Sequence, residues 1–189
     1  MIRILIFLLL FAVSGAQAAV YYIDPSAASS GTGSAASPFK AWTNLPTMNT
    51  SDDVYIKCGT TLTPSAYLNI TWQGTSSDPA VIGAYWMDGE TAKYELNGDR
   101  PIISGSDWTV PTQGGYTGLI TVSDKDYVQI RNLHVYRSGA YGIYIYGNST
   151  ATATSYGFLV DSCTVESAWR QSIICHKNPS NYGTIDNIS

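Results

Sequence analysis

Two stretches of the chain repeat the same order of apolar and polar positions. Residues 128–146 and 158–176 align at a constant offset of 30 residues, with apolar residues at matching positions. Each stretch contains three short runs in which apolar and polar residues alternate, and this period of two is typical of β-strands. The matched pairs are Val128 and Phe158, Ile130 and Val160, Leu133 and Cys163, Val135 and Val165, Ile143 and Ile173, and Ile145 and Cys175.

The repeat predicts the fold. A single polar residue, Asn132 in one copy and Ser162 in the next, separates the first two runs, and a third copy begins at residues 184–188 with Asn187 at the same place. Repeats of this length, made of short strands, indicate a solenoid whose stacked copies bury a continuous apolar interior. The sequence therefore predicts an all-β, right-handed parallel β-helix with three-strand rungs.

The segment YVQIRNLHVYRSGAYGIYIYG, residues 127–147, resembles a rung of the pectate-lyase-like β-helix superfamily of secreted polysaccharide lyases. In that superfamily a strand ends at an Asn-bearing bend, a second strand follows, and a Gly-Ile-x-Ile strand opens the next face. The resemblance implies the same fold, an N-terminal cap that covers the first rung, and a glycan bound along one outer face.

The ends of the chain set its expected domain organisation. Arg3, the apolar run 4–13 and the small-x-small motif Ala16-Gln17-Ala18 are typical of a secretory signal peptide. We expect residues 1–18 to be removed and the mature protein, without a membrane span, to be secreted, periplasmic or at the cell surface. An uncleaved membrane anchor is the alternative.

The mature chain divides into two expected parts. Residues 19–67 are expected to form the N-terminal strand and cap region, and residues 68–189 the β-helix rungs. The sequence ends within a rung. We therefore expect the helix to be truncated at its C-terminus and the chain to be the N-terminal portion of a longer protein.

Composition and cysteine content exclude some functions. Charged residues make up 13% of the sequence and the formal net charge is −4, which disfavours a nucleic-acid partner because such proteins carry basic patches. We interpret Cys163 and Cys175 as buried thiols at inward positions, and a disulfide between them or with Cys58 is the alternative. No Cys-x-x-Cys or Cys-x-x-His spacing indicates a metal site.

The Gly-Ile-x-Ile strand and its flanking turns form the face on which the resemblance implies substrate binding. Aromatic residues there are expected to stack on sugar rings, and cationic residues to pair with uronate carboxylates, which a guanidinium matches bidentately. An ordinary solvated outer face is the alternative. The substrate-binding candidates are Tyr144, Tyr146, Trp169, Arg137 and Tyr141, and the catalytic candidates are Arg170, Lys177 and His176.

The reaction that the resemblance implies is β-elimination. It requires a cation or Ca²⁺ that neutralises the uronate carboxylate, and a base that removes the C5 proton. The superfamily commonly uses lysine or arginine as that base, and it allows Ca²⁺ as a cofactor. Asp161 and Asp186 are expected on successive rungs, where they are candidate Ca²⁺ ligands. A cross-strand ion pair with Arg131 is the simpler interpretation of Asp161.

These observations lead to one main functional hypothesis. The chain is interpreted as part of a lyase-like enzyme that processes an acidic, uronate-containing polysaccharide by β-elimination. The face carries no paired carboxylates of the galacturonase type, which argues against a hydrolase. The competing hypothesis is a non-catalytic carbohydrate-binding or cell-surface adhesion module, and a purely structural scaffold comes third.

Overall fold

A computed structural model describes residues 18–147 and 157–176 of the chain. This part is nearly all β-structure, with one short 3₁₀ helix at Trp42–Asn44 as its helical element. The strands in chain order are β1 (Val20–Ile23), β2 (Asp53–Lys57), β3 (Thr61–Leu62), β4 (Leu68–Ile70), β5 (Ala80–Asp88), β6 (Thr91–Lys93), β7 (Ile102–Ser104), β8 (Gly118–Ser123), β9 (Val128–Arg131), β10 (His134–Tyr136), β11 (Tyr141–Tyr146), β12 (Leu159–Asp161), β13 (Thr164–Glu166) and β14 (Ile173–His176).

The strands form three sheets. The first sheet has the order β1-β2-β5-β9-β12, with β6 added antiparallel to β5; the second has the order β13-β10-β7-β3, and the third β14-β11-β8-β4. Every other pairing between these strands is parallel. Nearly all-β structure with parallel sheets fits a β-helix.

Strand pairing confirms the 30-residue repeat. Consecutive strands β9, β10 and β11 belong to the first, second and third sheets, and β12, β13 and β14 follow the same order. Ile130 pairs with Val160, Val135 with Val165, and Ile145 with Cys175. The alternation seen in the sequence is thus the alternation of core and outer positions.

The core is a column of aliphatic side chains from all three sheets. In the first sheet, Ile82, Ile130 and Val160 are register partners and are each at most 2% exposed. The second and third sheets add buried residues such as Val135 and Ile143. Because only alternate residues of each strand point inward, the residues between them lie on the outer faces.

The backbone conformation at the bends between the first and second sheets explains why Asn132 and Ser162 are polar. Asn132 and Ser162 have φ angles of 60° and 51°. This left-handed conformation crowds the Cβ atom, and short polar side chains tolerate it better than aliphatic ones. The third bend residue predicted from the sequence, Asn187, lies outside the described residues.

The N-terminal segment covers part of the core. The Trp42 ring lies 6.0 Å from the Trp72 ring, centroid to centroid, and Phe39, Leu45 and Met48 pack against the buried cluster. Among the described residues, no helix is both long and apolar enough to span a bilayer. The predicted signal peptide, apart from Ala18, lies outside the described residues.

Some details differ from the sequence-based expectation. All three cysteines are free, but Cys163 is only half-buried and Cys175 is exposed. Arg131 and Asp161 are register partners, yet the described residues contain no ion pair between them. Register places two Cα atoms side by side, while the direction of a long side chain depends on everything that packs around it.

Replacement of Ile130 by alanine should destabilise the fold. Ile130 lies between Ile82 and Val160, so the substitution leaves a cavity in the core, and we expect the free energy of unfolding to fall by about 2–5 kcal/mol. Urea denaturation followed by circular dichroism measures this change. The control Gln129→Ala alters the outer face of the same strand and should stay within about 0.5 kcal/mol of the parent; equal losses would contradict the assignment of faces.

The free energy of unfolding should fall as pH rises, because Asp53 loses a proton that stabilises the folded state. Burial raises the pKa of the Asp53 carboxyl to about 6, although the Val81 amide donates a 2.8 Å hydrogen bond to it. Protonated Asp53 therefore favours the folded state, and this contribution is lost between about pH 4 and 6, since the unfolded chain releases the proton near pH 3.9.

The variant Asp53→Asn keeps the acceptor oxygen and has no proton to lose. Relative to the parent, its free energy of unfolding should rise between pH 4 and 7 by an amount on the order of 1 kcal/mol, discounted because Asp53 is partly exposed. Urea denaturation of both proteins at several pH values measures the difference. Curves that stay parallel would refute the role of Asp53.

Candidate functional site

The outer face of the third sheet presents a line of polar and aromatic residues. In β11, Ile143 and Ile145 enter the core, so Tyr144 and Tyr146 lie on the opposite face and are partly exposed. Strand register places Thr121 and Ile174 on either side of Tyr144. The sheet therefore holds the two tyrosines at fixed positions near its centre.

The tyrosine rings of β11 form a continuous strip. Tyr144 and Tyr146 are stacked, with ring centroids 6.2 Å apart and planes inclined by 12°. Tyr141 stacks on the other side of Tyr144 at 5.3 Å and 19°. We call Tyr141, Tyr144 and Tyr146 the tyrosine strip.

The members of the strip differ in access to solvent. Tyr141 is only 8% exposed, so it packs against Tyr144 and offers little surface of its own to a ligand. Burial, followed by the proximity of Tyr146 and Tyr141, raises the pKa of Tyr144. The Tyr144 hydroxyl therefore stays protonated at neutral pH and can both donate and accept hydrogen bonds.

Three connections from the second to the third sheet stack beside the strip. They are residues 105–117, 137–140 and 167–172, and backbone hydrogen bonds join each to the next. The Gly139 amide donates to the Val110 carbonyl, and the Trp169 amide donates to the Ser138 carbonyl. A Cβ atom at Gly139 would collide with backbone oxygen atoms of the preceding connection, so only glycine permits this close approach.

Arg170 lies beside Tyr141, at one end of the tyrosine strip. Its Nε and Nη2 atoms both donate to the Gly114 carbonyl, at 3.0 and 2.6 Å. Its guanidinium carbon lies 4.3 Å from the centre of the Tyr116 ring and 5.8 Å from that of Tyr141. The side chain is thus oriented by a carbonyl and two aromatic rings while remaining exposed.

Trp169 belongs to the same connection as Arg170. Its side chain is 57% exposed, which leaves most of the indole free to contact a ligand. The structure therefore brings together four of the residues singled out in the sequence, namely the tyrosine strip and Arg170, with Trp169 next to Arg170 in the chain.

Arg137, in the connection between β10 and β11, is held by contacts within the protein. It forms an ion pair with Asp107, and its guanidinium carbon lies 5.4 Å from the Trp108 ring centre and 4.8 Å from that of Tyr136. The hydrogen bond to Asp107 raises the pKa of Arg137. A carboxylate of the protein itself already occupies this guanidinium, so Arg137 is less available to a uronate than Arg170.

Of the other two catalytic candidates, the structure describes the backbone of one. His176 is the last residue of β14, and its backbone pairs with that of Tyr146. Lys177 lies outside the described residues. The roles proposed for both of them stay predictions.

Sequence reasoning missed Tyr116 and Gly114, which orient Arg170. Both lie in the long connection 105–117, 54 or more residues before Arg170, and no local pattern links them. The Gly114-Gly115-Tyr116 turn was the one signal available, because paired glycines mark a sharp turn that can present an aromatic residue.

A cleft on the second sheet was also missed by sequence reasoning. A cleft of about 300 Å³ lies on the outer face of the second sheet, lined in part by Arg100, Ile102, His134 and Thr164. The Nε2 atom of His134 lies 3.3 Å from the Glu166 carboxylate but without hydrogen-bond geometry. The cleft is polar and small, so it suits a single compact ligand better than a polymer.

The described part of the chain contains no group of three or more histidine, cysteine, aspartate or glutamate residues placed to hold a metal ion. The Ca²⁺ that the resemblance allows therefore has no candidate ligand set within residues 18–147 and 157–176.

Comparison with known proteins identifies a shared fold. No protein-family model matches the sequence, and no curated protein matches it. Among solved structures, the chain is similar to the native GH136 lacto-N-biosidase from Eubacterium ramulus, with a TM-score of 0.58 and 19% identity. The selenomethionine derivative of that protein gives a TM-score of 0.60 and 18% identity.

Each match covers 84% of this chain but 30% of the other. At this level of identity, the likeness establishes the fold alone. The chain spans about a third of the length of the solved structures that it matches.

Proposed function

We propose that the protein takes part in polysaccharide processing, with a glycan bound across Tyr144 and Tyr146 on the outer face of the third sheet. The observation that carries the proposal is the tyrosine strip with Arg170 at one end. Two nearly parallel, partly exposed rings 6.2 Å apart offer apolar surface and hydroxyl groups, which suit the apolar faces and hydroxyls of successive sugars. The name of the GH136 lacto-N-biosidase structures supports glycan processing in general.

The proposal includes a finer architecture. Each set of three consecutive strands is taken as one rung of a right-handed β-helix of the pectate-lyase-like type, and the segment around Trp42 as its N-terminal cap. The passage of β9 to β14 through the three sheets in a fixed order supports the rung, and the packing of Phe39 and Leu45 on the core supports the cap. With the predicted leader, this protein is exported and meets its glycan outside the cytoplasm.

The preferred substrate of this proposal is an acidic glycan. Arg170 uses Nε and Nη2 for the Gly114 carbonyl, and Nη1 has no partner among the described residues. A guanidinium held in this way can offer Nη1 to a uronate carboxylate while the sugar ring lies on the neighbouring tyrosines.

β-Elimination is the proposed reaction of the whole protein. Arg170 neutralises the uronate carboxylate, and a base, for which His176 and Lys177 are the candidates, removes the C5 proton. The electrons of the C5–H bond form the C4–C5 double bond, the bond from C4 to the glycosidic oxygen breaks, and that oxygen takes up a proton. The base must be unprotonated when substrate binds.

Hydrolysis is the second candidate reaction, because the similar structures are named as a glycosidase. The described part of the third-sheet face offers few carboxylates for this chemistry. Asp124 follows β8, and its amide donates a 3.0 Å hydrogen bond to the Tyr146 carbonyl, so it lies at the opposite end of the strip from Arg170. No facing pair of carboxylates is seen beside the strip in residues 18–147 and 157–176, and hydrolysis ordinarily requires such a pair.

Removal of either exposed ring should weaken glycan binding. We expect Tyr144→Ala and Tyr146→Ala each to lower affinity about tenfold, equivalent to about 1.4 kcal/mol, because each loses one stacking surface. Affinity electrophoresis and calorimetry against polygalacturonate, alginate and neutral oligosaccharides measure binding. Tyr136→Ala changes a partly exposed tyrosine on the second sheet and serves as the matched control. Equal affinities for all variants, or no binding by the parent, would overturn the proposed face.

The products formed by the protein encoded in the complete reading frame should distinguish the reactions. β-Elimination yields an unsaturated uronate that absorbs ultraviolet light, and Arg170→Ala should abolish it while Arg137→Ala retains it, because Arg137 is paired with Asp107. New reducing ends without ultraviolet absorbance would establish hydrolysis instead. Binding without either product would support the adhesion or binding module.

A further inference from the structure

The Asp52 carboxylate, directly before β2, is buried beside the residue that precedes β1. Asp52 is 1% exposed, and its Oδ1 atom accepts a 2.7 Å hydrogen bond from the backbone nitrogen of Ala19. Its Oδ2 atom accepts a 2.7 Å hydrogen bond from the backbone nitrogen of Asn49. The carboxylate therefore joins the segment before β1 to the segment before β2.

The charge of this carboxylate has no side-chain counterion among the described residues. The ion pairs there join Lys57 to Asp24 and Arg137 to Asp107, and the His134 ring lies near Glu166. Neighbouring Asp53 and Asp78 add further acidic groups to the same region. A buried carboxylate held only by neutral donors is costly, because hydrogen bonds from amides replace water less well than a cation does.

The nitrogen atom that contacts Asp52 follows the small-x-small motif directly. Ala16-Gln17-Ala18 marks the expected cleavage point of the leader, so the bond to be cut joins Ala18 to Ala19. After that cut, the nitrogen of Ala19 is the α-amino group of the mature chain, and it is protonated at neutral pH.

We propose that the Ala18–Ala19 bond is a processing site and that its cleavage creates a buried ion pair between the Ala19 ammonium and Asp52. Water hydrolyses the amide: Ala18 leaves with the new carboxylate, and the Ala19 nitrogen becomes an amine that takes up a proton. An amide N–H that donates to Asp52 is thereby replaced by an ammonium group at the same place.

The ion pair fastens the N-terminal edge of the first sheet. Val20 pairs with Asp53 in the parallel contact between β1 and β2, and the Asp53 amide donates a 2.8 Å hydrogen bond to the Ala19 carbonyl. A charged anchor at Ala19 therefore holds β1 in register. The chain that retains its leader lacks this anchor, so the native state gains part of its stability only after export. This inference rests on the proposed export and is independent of glycan binding.

The first experiment identifies the mature N-terminus. The full chain with its leader is expressed in an exporting bacterial host, and the mature protein is examined by N-terminal sequencing and intact mass. We expect Ala19 as the first residue. A different first residue, or an intact leader, would overturn the processing site.

The second experiment measures the ion pair directly. The chain from Ala19 to Ser189 is prepared with a free α-amino group and, in a matched sample, beginning at Gln17 so that the Ala19 nitrogen stays an amide. We expect the free form to melt about 2–4 °C higher at pH 7. Between pH 8 and 10 this advantage should disappear as the ammonium group loses its proton, whose ordinary pKa is about 8.

Two further comparisons identify Asp52 as the partner. Asp52→Asn should remove the difference between the free and extended forms, whereas Asp53→Asn should retain it. The groups that can titrate nearby are Asp52, Asp53, Asp78 and Tyr55, and burial keeps the Tyr55 hydroxyl protonated over this range. If Asp52→Asn does not fold, the free and extended forms of the parent still decide the matter: equal melting temperatures at pH 7, or a difference unchanged at pH 10, would overturn the ion pair.

Discussion

The register between successive parallel strands is the constraint on which the rest of the structure depends. Ile130 and Val160 occupy neighbouring core positions because their strands pair at an offset of 30 residues. A slip of one residue would move every inward side chain to the outer face and bring the outer polar residues into the core. The cost of that exchange keeps Tyr144 and Tyr146 on one outer face of the third sheet.

The same register controls the connections between sheets. Because β7, β10 and β13 are stacked, the segments that leave them are also stacked, and their backbones exchange hydrogen bonds. Gly139 allows two of these segments to approach closely. Arg170 can therefore reach the Gly114 carbonyl and the Tyr116 ring, which lie two connections earlier in the chain. The candidate site combines a rigid strip from a strand with groups from stacked turns.

The charged side chains near the tyrosine strip and those near β1 have different surroundings. The exposed cations beside the strip are oriented by carbonyl groups, aromatic rings or, for Arg137, by Asp107. Near β1, in contrast, Asp52 and Asp53 place carboxyl groups at and near the edge of an aliphatic core. Burial raises the pKa of the Asp53 carboxyl, so stability in this region depends on pH. The ion pair that we propose for Asp52 links it to the state of the chain terminus as well.

The sequence by itself determined the positions of the repeated strands, the inward residues and the bends at Asn132 and Ser162, because a period of two and a fixed repeat are local properties of the chain. It also indicated the outer face that carries Tyr144, Tyr146 and Arg170. Only the tertiary structure decided that Tyr141 is buried, that Arg137 pairs with Asp107, that Tyr116 joins Arg170, and that a cleft adjoins His134. These features depend on which long connections come to lie against one another, and periodicity within a strand carries no information about the paths of those connections.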